Sequence, residues 1–309
     1  MPIALIAHGG AGNWRPGSEQ DALEGLRAAV QAGEKILREG GSALDAVCAT
    51  VVVLEDNPIY NAGTGGVLNF DGFVELDASV MESRGARVGA VSGLQRVKNP
   101  VLVARRVMDE TDHVMLTGEG AQRFARVMGF PDHDPVTPAR RADWQDKKAH
   151  LDEILAGGRT LKMRTFLKQH PEYAGGTVGA AAVDAQGVLA AATSTGGVTM
   201  KLVGRVGDSP IPGAGNYASE HIAASATGTG EFVLRALATR SISEAVERGA
   251  TFPQAMKQVL DKLGRDFDAD VGIIGVDRHG LPLAMHRTRD MPHAWFANEG
   301  EVVAHMRVA

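Results

Sequence analysis

The chain has 309 residues, of which 44% are hydrophobic, enough to fill the core of one large domain or two ordinary ones. Its 32 basic and 37 acidic residues give a formal net charge of -5, so it lacks the basic surface typical of nucleic-acid-binding proteins. The only cysteine, Cys48, lies in an apolar run, which excludes an intramolecular disulfide and indicates a buried, inert thiol.

The N-terminal third predicts one strand and two helices. Residues 3–8 predict a β-strand, and their five-residue apolar run is too short for a signal peptide or a membrane span. We therefore expect a cytoplasmic protein that makes no membrane contact. A first helix is predicted with Ser18 as its N-cap and Gly40 in its stop signal, and a second begins near Ser42 and ends before Pro58.

The middle of the chain predicts alternating short elements and then a connector. Residues 57–81 predict a loop followed by a hairpin, and helices are predicted near Pro100 and Gly118 with a short strand between them. Residues 130–174 are polar, charged and proline-containing, with at best one amphipathic helix around Trp144 to Leu155. A segment of this length predicts a lid or a region near a processing site, so we place a flexible connector at about 131–176.

After the connector, two apolar runs joined by a turn at Asp184 to Gly187 predict a hairpin buried on both faces. The C-terminal part predicts a helix after the TGTGE motif, another helix over Phe252 to Leu263 and a second hairpin over residues 270–288. Strands and helices come in clusters rather than in strict alternation. This pattern favours a layered α+β architecture.

A threonine flanked by glycines, in GGTVG at 175–179, opens the first strand of the buried hairpin. If the bond between Gly176 and Thr177 were cut, the α-amine of Thr177, with a reference pKa of about 7.7–8.0, could act as general base for its own hydroxyl. Gly176 would leave the approach to the bond open and would tolerate a strained backbone. Taken alone, the GGT motif is more typical of an ordinary strand threonine after a turn.

Two further threonine motifs could support such a nucleophile. TSTGG at 193–197 ends the return strand, which would bring Thr193 or Thr195 beside Thr177, although β-propensity explains these residues about equally well. ATGTGE at 226–231 is predicted to open a helix, where the Thr227 hydroxyl and the Gly228 N–H could stabilise an oxyanion. A glycine-rich helix cap is the alternative for this motif.

A glycine-rich loop, GRVGDSPIPGAG at 204–215, holds a cation and an anion three residues apart. Arg205 could hold an α-carboxylate and Asp208 an α-ammonium, so the pair suits an amino-acid ligand. The alternative is a surface ion pair of little energetic value. The HGGAG turn at 8–12 could add backbone donors, and we leave His8 outside the catalytic set. No phosphate-binding or zinc-binding motif is found.

Together and in this order, the motifs resemble the plant-type L-asparaginase and isoaspartyl peptidase family, also called threonine asparaginases. The resemblance runs through HGGAGNW, NPIYNAGTGGVL, ELDASVM, GAVSGL, NPVLVAR, HVMLTGEGA, GGTVGAAAVD, AATSTGG, KLVGRVGDSPIPGAG and TGTGE, which leaves out only the connector and the C-terminal tail. It implies a four-layer αββα sandwich of the N-terminal nucleophile hydrolase type. It also implies autoproteolysis into an α subunit (1–176) and a β subunit (177–309) that form one structural domain, and the assembly of two such pairs.

The resemblance also implies a role for each residue of the motifs. The substrate, an amino acid or dipeptide, would acylate the nucleophile, ammonia or an amino acid would leave, and water would release aspartate; no cofactor is required. The implied roles are nucleophile and base for Thr177, support for Thr195, substrate clamp for Arg205 and Asp208, oxyanion hole for Thr227 and Gly228, and a backbone contact to substrate for Gly230.

Members of this family commonly hold a structural sodium ion through backbone carbonyls, so a Na⁺ site is expected in the matching loop. Its ligands would be the carbonyls of Leu54, Glu55, Asn57, Tyr60, Ala62 and Thr64. Met200 stands where family members usually carry a polar residue, which leaves the preferred leaving group open.

Three alternatives to this interpretation remain. Aspartylglucosaminidases share the fold but typically have Asp before the nucleophile and TSTNG, where this chain has Gly176 and TSTGG. A taspase-like protease would be expected to differ around the substrate clamp. A non-processed amino-acid-binding protein could use the same glycine loops without needing Thr177. The sequence favours a hydrolase of β-aspartyl amides that acts on isoaspartyl dipeptides and L-asparagine.

Overall fold

The computed structural model describes residues 1–156 and 176–308. These residues form a mixed α+β fold in which long helices alternate with clusters of strands. The helices are α1 (Glu19–Arg38), α2 (Ala43–Asp56), α3 (Pro100–Glu110), α4 (Gly118–Val127), α5 (Pro138–Ala156), α6 (Gly230–Ala236), α7 (Ala238–Glu247) and α8 (Phe252–Phe267). The strands are β1 (Ala4–His8), β2 (Leu76–Glu82), β3 (Arg87–Leu94), β4 (Met115–Thr117), β5 (Val178–Val183), β6 (Leu189–Thr195), β7 (Asn216–Ala218), β8 (Ile222–Gly228), β9 (Val271–Asp277), β10 (Pro282–His286), β11 (His293–Ala297) and β12 (Val303–His305).

The described strands form two sheets. The larger sheet has eight strands in the order β12-β11-β1-β5-β6-β2-β3-β4, and the smaller has four in the order β10-β9-β8-β7. Neighbouring strands pair antiparallel except β3 and β4, which are parallel. β5 lies near the centre of the larger sheet and also packs against β8 and β9 of the smaller one. The strand that follows Thr177 is therefore enclosed by β1 and β6 within its sheet, by α2 on one face and by the smaller sheet on the other.

Separate apolar clusters fill the spaces on the two sides of each sheet. One lies between the larger sheet and helices α1 and α2, with Leu26, Val47 and Ala180 among its members. A second lies between the two sheets and includes Ile6 and Ile274. A third packs helices α6 to α8 on the smaller sheet. The alanine-rich sequences of β5 and β6 let α2 and the second sheet approach these central strands closely.

The structure confirms most of the elements predicted in the N-terminal half. It also confirms both hairpins predicted after the connector, β5–β6 and β9–β10. β1 and α2 lie within one residue of their predicted starts, and Ser42 accepts the capping hydrogen bond from Asp45 N. The buried hairpin is formed by β5 and β6, both buried along their whole length. Cys48 is buried, and burial raises the pKa of its thiol to about 12, as expected for an inert cysteine.

Four predictions need correction. Residues 57–81 do not contain a complete hairpin: β2 is the one strand there, and it forms its hairpin with β3, which begins at Arg87. Ser18 precedes α1 but does not cap it, because its hydroxyl donates to Arg15 O instead. α5 begins at Pro138 rather than near Trp144, and it packs on the rest of the chain: the Trp144 indole donates to Asn69 O at 2.8 Å and Leu151 is buried. The rest of the predicted connector, 157–175, lies outside the described residues. Finally, Thr227 and Gly228 end strand β8, and the following helix begins only at Gly230.

Candidate active site

Thr177 lies immediately before β5, between β1 and β6 in the larger sheet. It is 7% exposed. The register of the hairpin, which pairs Val178 with Ser194, brings the last residue of β6 beside it. Thr177 Oγ1 donates a hydrogen bond to Thr195 Oγ1 at 3.2 Å. Of the two threonines predicted to meet Thr177, the structure thus brings Thr195 to its hydroxyl.

Two side-chain donors converge on the carbonyl oxygen of Gly176, the residue before Thr177. Asn61 Nδ2 donates to this oxygen at 2.7 Å and Thr195 Oγ1 at 3.1 Å. Thr195 therefore accepts a hydrogen bond from Thr177 and donates one to the Gly176 carbonyl oxygen. Asn61 is held in place because its Oδ1 accepts from Val67 N at 2.8 Å. Paired donors on one carbonyl can stabilise negative charge that develops on its oxygen.

The HGGAG turn packs directly against the bond between Gly176 and Thr177. Gly10 has a φ of +113°, which favours glycine, and a Cβ there would lie 2.9 Å from Gly176 Cα and 3.1 Å from Thr177 N. The next residue, Ala11, donates its N–H to Thr227 Oγ1 at 3.1 Å. Thr227 is completely buried. The Thr227 oxygen is the acceptor in this hydrogen bond. The hydroxyl therefore still has its own proton to donate to another group.

A chain of buried polar side chains lies beside the strand that carries Thr177. His8 Nε2 is 3.0 Å from Ser225 Oγ, which is 2.7 Å from Thr193 Oγ1, and Thr193 donates to Gly215 O at 3.2 Å. Burial lowers the pKa of His8 to about 3, and the Thr177 backbone carbonyl opposes this only in part. The ring is therefore neutral at physiological pH. Thr193 joins this chain rather than the nucleophile.

Arg205 and Asp208 follow β6 and approach the start of α6. Arg205 Nε donates to Glu231 Oε1 at 2.9 Å, and Arg205 Nη2 lies 2.8 Å from the same oxygen. The side chain of Arg205 is 16% exposed and Asp208 is buried. The alternative of a solvent-exposed Arg205–Asp208 ion pair is therefore wrong: the partner of Arg205 is Glu231, whose side chain is 42% exposed, and Asp208 is buried.

Gly230 lies between the charged groups of this loop, which we call the clamp (Arg205, Asp208 and Gly230). A Cβ at Gly230 would lie 2.6 Å from Asp208 Oδ1 and 3.1 Å from Arg205 Nη2. Within the described part of the chain, Asp208 Oδ2 is buried and has no hydrogen-bond partner, whereas Arg205 Nη2 is in ion-pair contact with Glu231. Buried polar atoms are normally satisfied. A carboxyl group with one unsatisfied oxygen and a guanidinium group, both beside Gly230, match the two charges of an amino acid.

Burial raises the pKa of Asp208 to about 7, and the nearby Arg205 guanidinium opposes that rise. Its carboxyl group is therefore divided between protonated and ionised forms near neutral pH. A cationic ligand beside it would favour the ionised form. The charge of this site thus depends on pH in the physiological range.

Further buried charges surround the residues of the site. Lys201 is completely buried and its Nζ donates to Glu75 O at 2.9 Å. Asp77 is the register partner of Thr195 and is also buried. Burial lowers the pKa of Lys201 and raises that of Asp77, and the attraction between the two groups opposes both shifts. Removing the charge of either Lys201 or Asp77 would leave the other charge buried without its partner, close to Thr195.

The loop predicted to bind sodium begins at the end of α2. Its donors are neutral carbonyl oxygens, the chemistry that hard cations prefer. Glu55 O accepts Thr64 N at 2.8 Å, which leaves a second lone pair on that oxygen. Tyr60 O already accepts from the Arg140 guanidinium at 3.2 Å. The donor type fits a cation, whereas the charge of Arg140 disfavours one near Tyr60.

Residues 1–156 and 176–308 contain no group of three or more His, Cys, Asp or Glu side chains that could hold a metal ion. In the same residues, no helix combines the length and the apolar character needed to cross a membrane.

Two residues of the site, Asn61 and Glu231, were missed from the sequence. Asn61 lies inside the predicted cation loop, where only backbone oxygens were considered, and it meets Gly176 from 115 positions away. Glu231 is the last residue of TGTGE, so its place beside Gly230 could have suggested a partner for Arg205.

Comparison with known proteins places this geometry in context. A family model described as Asparaginase matches residues 1–306. The chain is 47% identical over 303 residues to a plant-type L-asparaginase of Pyrococcus abyssi, covering 96% of this chain and 97% of that protein. It is 41% identical over 300 residues to an isoaspartyl peptidase/L-asparaginase of Rattus norvegicus, covering 96% and 87%. It is also 40% identical over 298 residues to a protein of the same name from Danio rerio, covering 95% and 92%.

Proposed function

The chain belongs to the asparaginase family, and on that premise we propose that it is an isoaspartyl peptidase and L-asparaginase activated by cleavage between Gly176 and Thr177. The observation that carries the proposal is the arrangement at this bond. The Thr177 hydroxyl bonds to Thr195, while Thr195 and Asn61 both donate to the carbonyl oxygen of Gly176. The nucleophile (Thr177), the group that accepts its hydrogen bond (Thr195) and the two donors to the Gly176 oxygen (Thr195 and Asn61) are therefore all in place before any cleavage.

Self-cleavage follows from these contacts. Thr177 Oγ1 attacks the Gly176 carbonyl carbon and its proton passes to Thr195, which gives its own proton toward the Gly176 oxygen. Asn61 and Thr195 stabilise the charge on that oxygen. As the C–N bond breaks and the carbonyl re-forms, the proton shared by Thr195 and the Gly176 oxygen passes to the Thr177 nitrogen, and the acyl group remains on Oγ1 as an ester. Water hydrolyses the ester, which leaves a carboxylate on Gly176 and a free amine on Thr177.

Hydrolysis of substrate uses the same hydroxyl with a new base. The free amine of Thr177 accepts the hydroxyl proton while Oγ1 attacks the β-carbonyl carbon of the substrate, and Thr227 and Gly228 hold the oxyanion. The amine then passes the proton to the leaving nitrogen. Water releases aspartate from the ester. Throughout, Arg205 binds the α-carboxylate and Asp208 the α-ammonium of the aspartyl part, beside Gly230.

The proposal extends to the architecture and the assembly. Two sheets packed face to face, with helices α1 and α2 on one and α7 and α8 on the other, support a four-layer αββα sandwich. Cleavage would divide it into an α subunit (1–176) and a β subunit (177–309), and two such pairs would associate. A sodium ion held by the loop from Leu54 to Thr64 would stabilise the segment that carries Asn61, without taking part in the reaction.

The Asn61→Ala variant should cleave itself about 10²–10³ times more slowly than the wild type, because one of two oxyanion donors is lost. The rate is measured from the fraction of intact chain on denaturing gels over days. Asn99→Ala, which removes another asparagine amide away from the bond, is the matched control and should process normally. Equal processing rates of Asn61→Ala and wild type would contradict the role of Asn61.

The KM for L-asparagine should rise about tenfold between pH 8 and pH 6, because Asp208 must be ionised to hold the substrate ammonium and its pKa is about 7. kcat reports separately on the Thr177 amine, so the two parameters are measured independently. Asp208→Asn should show a high KM without this pH dependence. A wild-type KM that stays constant over the range would show that Asp208 does not bind the ammonium.

Rising pH should strengthen substrate binding through Asp208, but the same ionisation of the Asp208 carboxyl group should make the fold less stable. Its folded pKa of about 7 exceeds the reference value of 3.8, so the folded state holds a proton that the unfolded state has lost between these values. The contribution of Asp208 to stability therefore falls as pH rises through that window. Asp208→Asn should have a higher Tm than the wild type at pH 8 and a similar Tm at pH 4.

The proposed function is tested directly by the mass of the denatured protein and by aspartate release. Aged protein should contain two fragments, 1–176 and 177–309, and should release aspartate from L-asparagine and from β-aspartyl dipeptides. An intact chain that binds amino acids without hydrolysing them would instead support the binding-protein alternative.

A further inference from the structure

The loop that carries Asn61 is bridged by an arginine from a distant part of the chain. Arg140, in the first turn of α5, donates from Nε to Gly65 O at 2.6 Å and from Nη2 to Tyr60 O at 3.2 Å. Tyr60 immediately precedes Asn61, and Gly65 follows it in the same loop. One guanidinium group therefore joins the two ends of the short loop that contains Asn61.

The two carbonyl groups that Arg140 bridges belong to buried residues. Tyr60 is 1% exposed and Gly65 is buried, so their oxygens need a donor from within the protein. Within residues 1–156 and 176–308, both hydrogen bonds of the Arg140 guanidinium go to these backbone oxygens. Its planar fork can reach two acceptors at once, which a lysine ammonium cannot do in the same geometry.

The segment before α5 also contacts this loop, but only at its far end. Pro135 O accepts the N–H of Gly65 at 2.9 Å, and His133 Nε2 lies 3.1 Å from Thr64 Oγ1. Of these three residues that precede or begin α5, Arg140 is the one that also reaches the end of the loop next to Asn61. The position of Asn61 therefore depends on how this arginine is seated.

Asn61 is held from a second direction by the end of β6. Its Nδ2 donates to Gly197 O as well as to Gly176 O, each at 2.7 Å, and its own carbonyl oxygen accepts Gly196 N at 3.0 Å. Arg140 adds a fixed point at the preceding residue. An oxyanion donor is effective only if its position is set before the reaction, and a misplacement of about 1 Å can cost about 10² in rate.

We infer that Arg140 is a positioning residue for self-cleavage, whose guanidinium fixes the loop from Tyr60 to Gly65 so that the Asn61 amide meets the Gly176 oxygen. The inference rests on the proposed function, because it concerns the bond whose cleavage activates the enzyme. Arg140 acts through the loop and not on the reacting atoms. Self-cleavage would therefore follow the docking of α5 on this loop during folding.

The experiment follows cleavage of the full chain after cell-free synthesis, as the fraction of 309-residue chain that remains intact on denaturing gels. Arg140→Ala should cleave about tenfold more slowly than the wild type, because the loop loses one anchor while Asn61 keeps its contacts with β6. Arg140→Lys should be about threefold slower than the wild type, because an ammonium retains the charge but not the two-pronged geometry.

Guanidinium ion distinguishes positioning from a general loss of stability. At concentrations far below those that denature proteins, it should accelerate cleavage of Arg140→Ala by about threefold, because it can donate to the same two oxygens in the space that the side chain leaves. It should leave the wild-type rate unchanged. A variant that was slow only because its fold was weakened would not be accelerated by a denaturant.

Arg141→Ala is the matched control, because this arginine is the next residue of α5 and donates to a different carbonyl oxygen, Gly72 O, at 3.1 Å. It should cleave at the wild-type rate. The inference would be overturned if Arg140→Ala cleaved as fast as the wild type, if guanidinium did not accelerate it, or if Arg141→Ala were equally slow. In each case wild-type cleavage before Thr177 would still uphold the proposed function. A wild-type chain that stayed intact and hydrolysed no L-asparagine would refute both.

Discussion

The Thr177→Ala variant is expected to remain a single chain of 309 residues and to lose hydrolysis of L-asparagine by at least about 10³-fold. In the proposed mechanism both losses have one cause, because the same hydroxyl would attack the Gly176 carbonyl during self-cleavage and the substrate afterwards. The variant keeps the fold, since Thr177 makes its one described side-chain hydrogen bond to Thr195. Denatured mass reports on cleavage and aspartate release on hydrolysis.

Thr177→Ser provides the matched control for this expectation. Serine retains the hydroxyl and, once the bond is cut, the adjacent amine, so this variant should still process itself and hydrolyse substrate, more slowly than the wild type. A Thr177→Ala protein that separated into residues 1–176 and 177–309, or that retained wild-type hydrolysis, would show that another group attacks the bond.

The Arg205→Met variant should cleave itself normally and yet lose about 10²–10³ in kcat/KM for L-asparagine. The guanidinium is the cation of the clamp, and methionine retains much of its length without its charge. Self-cleavage is unaffected because the side-chain donors at the Gly176 carbonyl are Thr195 and Asn61. Denatured mass and steady-state kinetics on the same sample separate the two effects.

Arg235→Met is the matched control, because this arginine lies over the Phe267 ring in the last turn of α6. It should retain wild-type kinetics. If Arg205→Met kept the wild-type KM, the α-carboxylate would have to bind elsewhere. If it failed to process, Arg205 would be needed for folding or cleavage, and the division of roles between the clamp and Asn61 would be wrong.

The parts of the fold that were predictable are those that short stretches of sequence specify. The apolar runs around the turn from Asp184 to Gly187 predict β5 and β6, and Ser42 followed by Asp45 predicts the start of α2. β11 and β12 were not predicted, because they are short and take their places only by long-range pairing: β11 pairs with β1, nearly 300 residues earlier, and β12 pairs with β11. α7 follows α6 after a single residue, Leu237 in the left-handed conformation, which no sequence pattern indicated.

The contacts of the site were likewise predictable where one local element holds both residues, and were missed where the residues lie far apart in the chain. Thr195 could be placed near Thr177 because one hairpin contains both. Asn61 reaches Gly176 only through the fold of the whole chain, so its side-chain role was hidden among residues considered for their carbonyl groups. The partner of Arg205 was also missed, because the nearby Asp208 offered a simpler pairing than Glu231, which lies 26 positions away.

The strand order of the larger sheet has a consequence for the protein after cleavage. A cut before Thr177 would assign β1 to β4 to one polypeptide and β5, β6, β11 and β12 to the other, yet β1 lies between β11 and β5, and β2 pairs with β6. The two polypeptides would remain interwoven while folded. Once unfolded, however, they would have to find each other by diffusion, so recovery would become a second-order process that dilution suppresses. Maturation would thus make unfolding effectively permanent, and the lifetime of the enzyme would depend on how slowly this shared sheet opens.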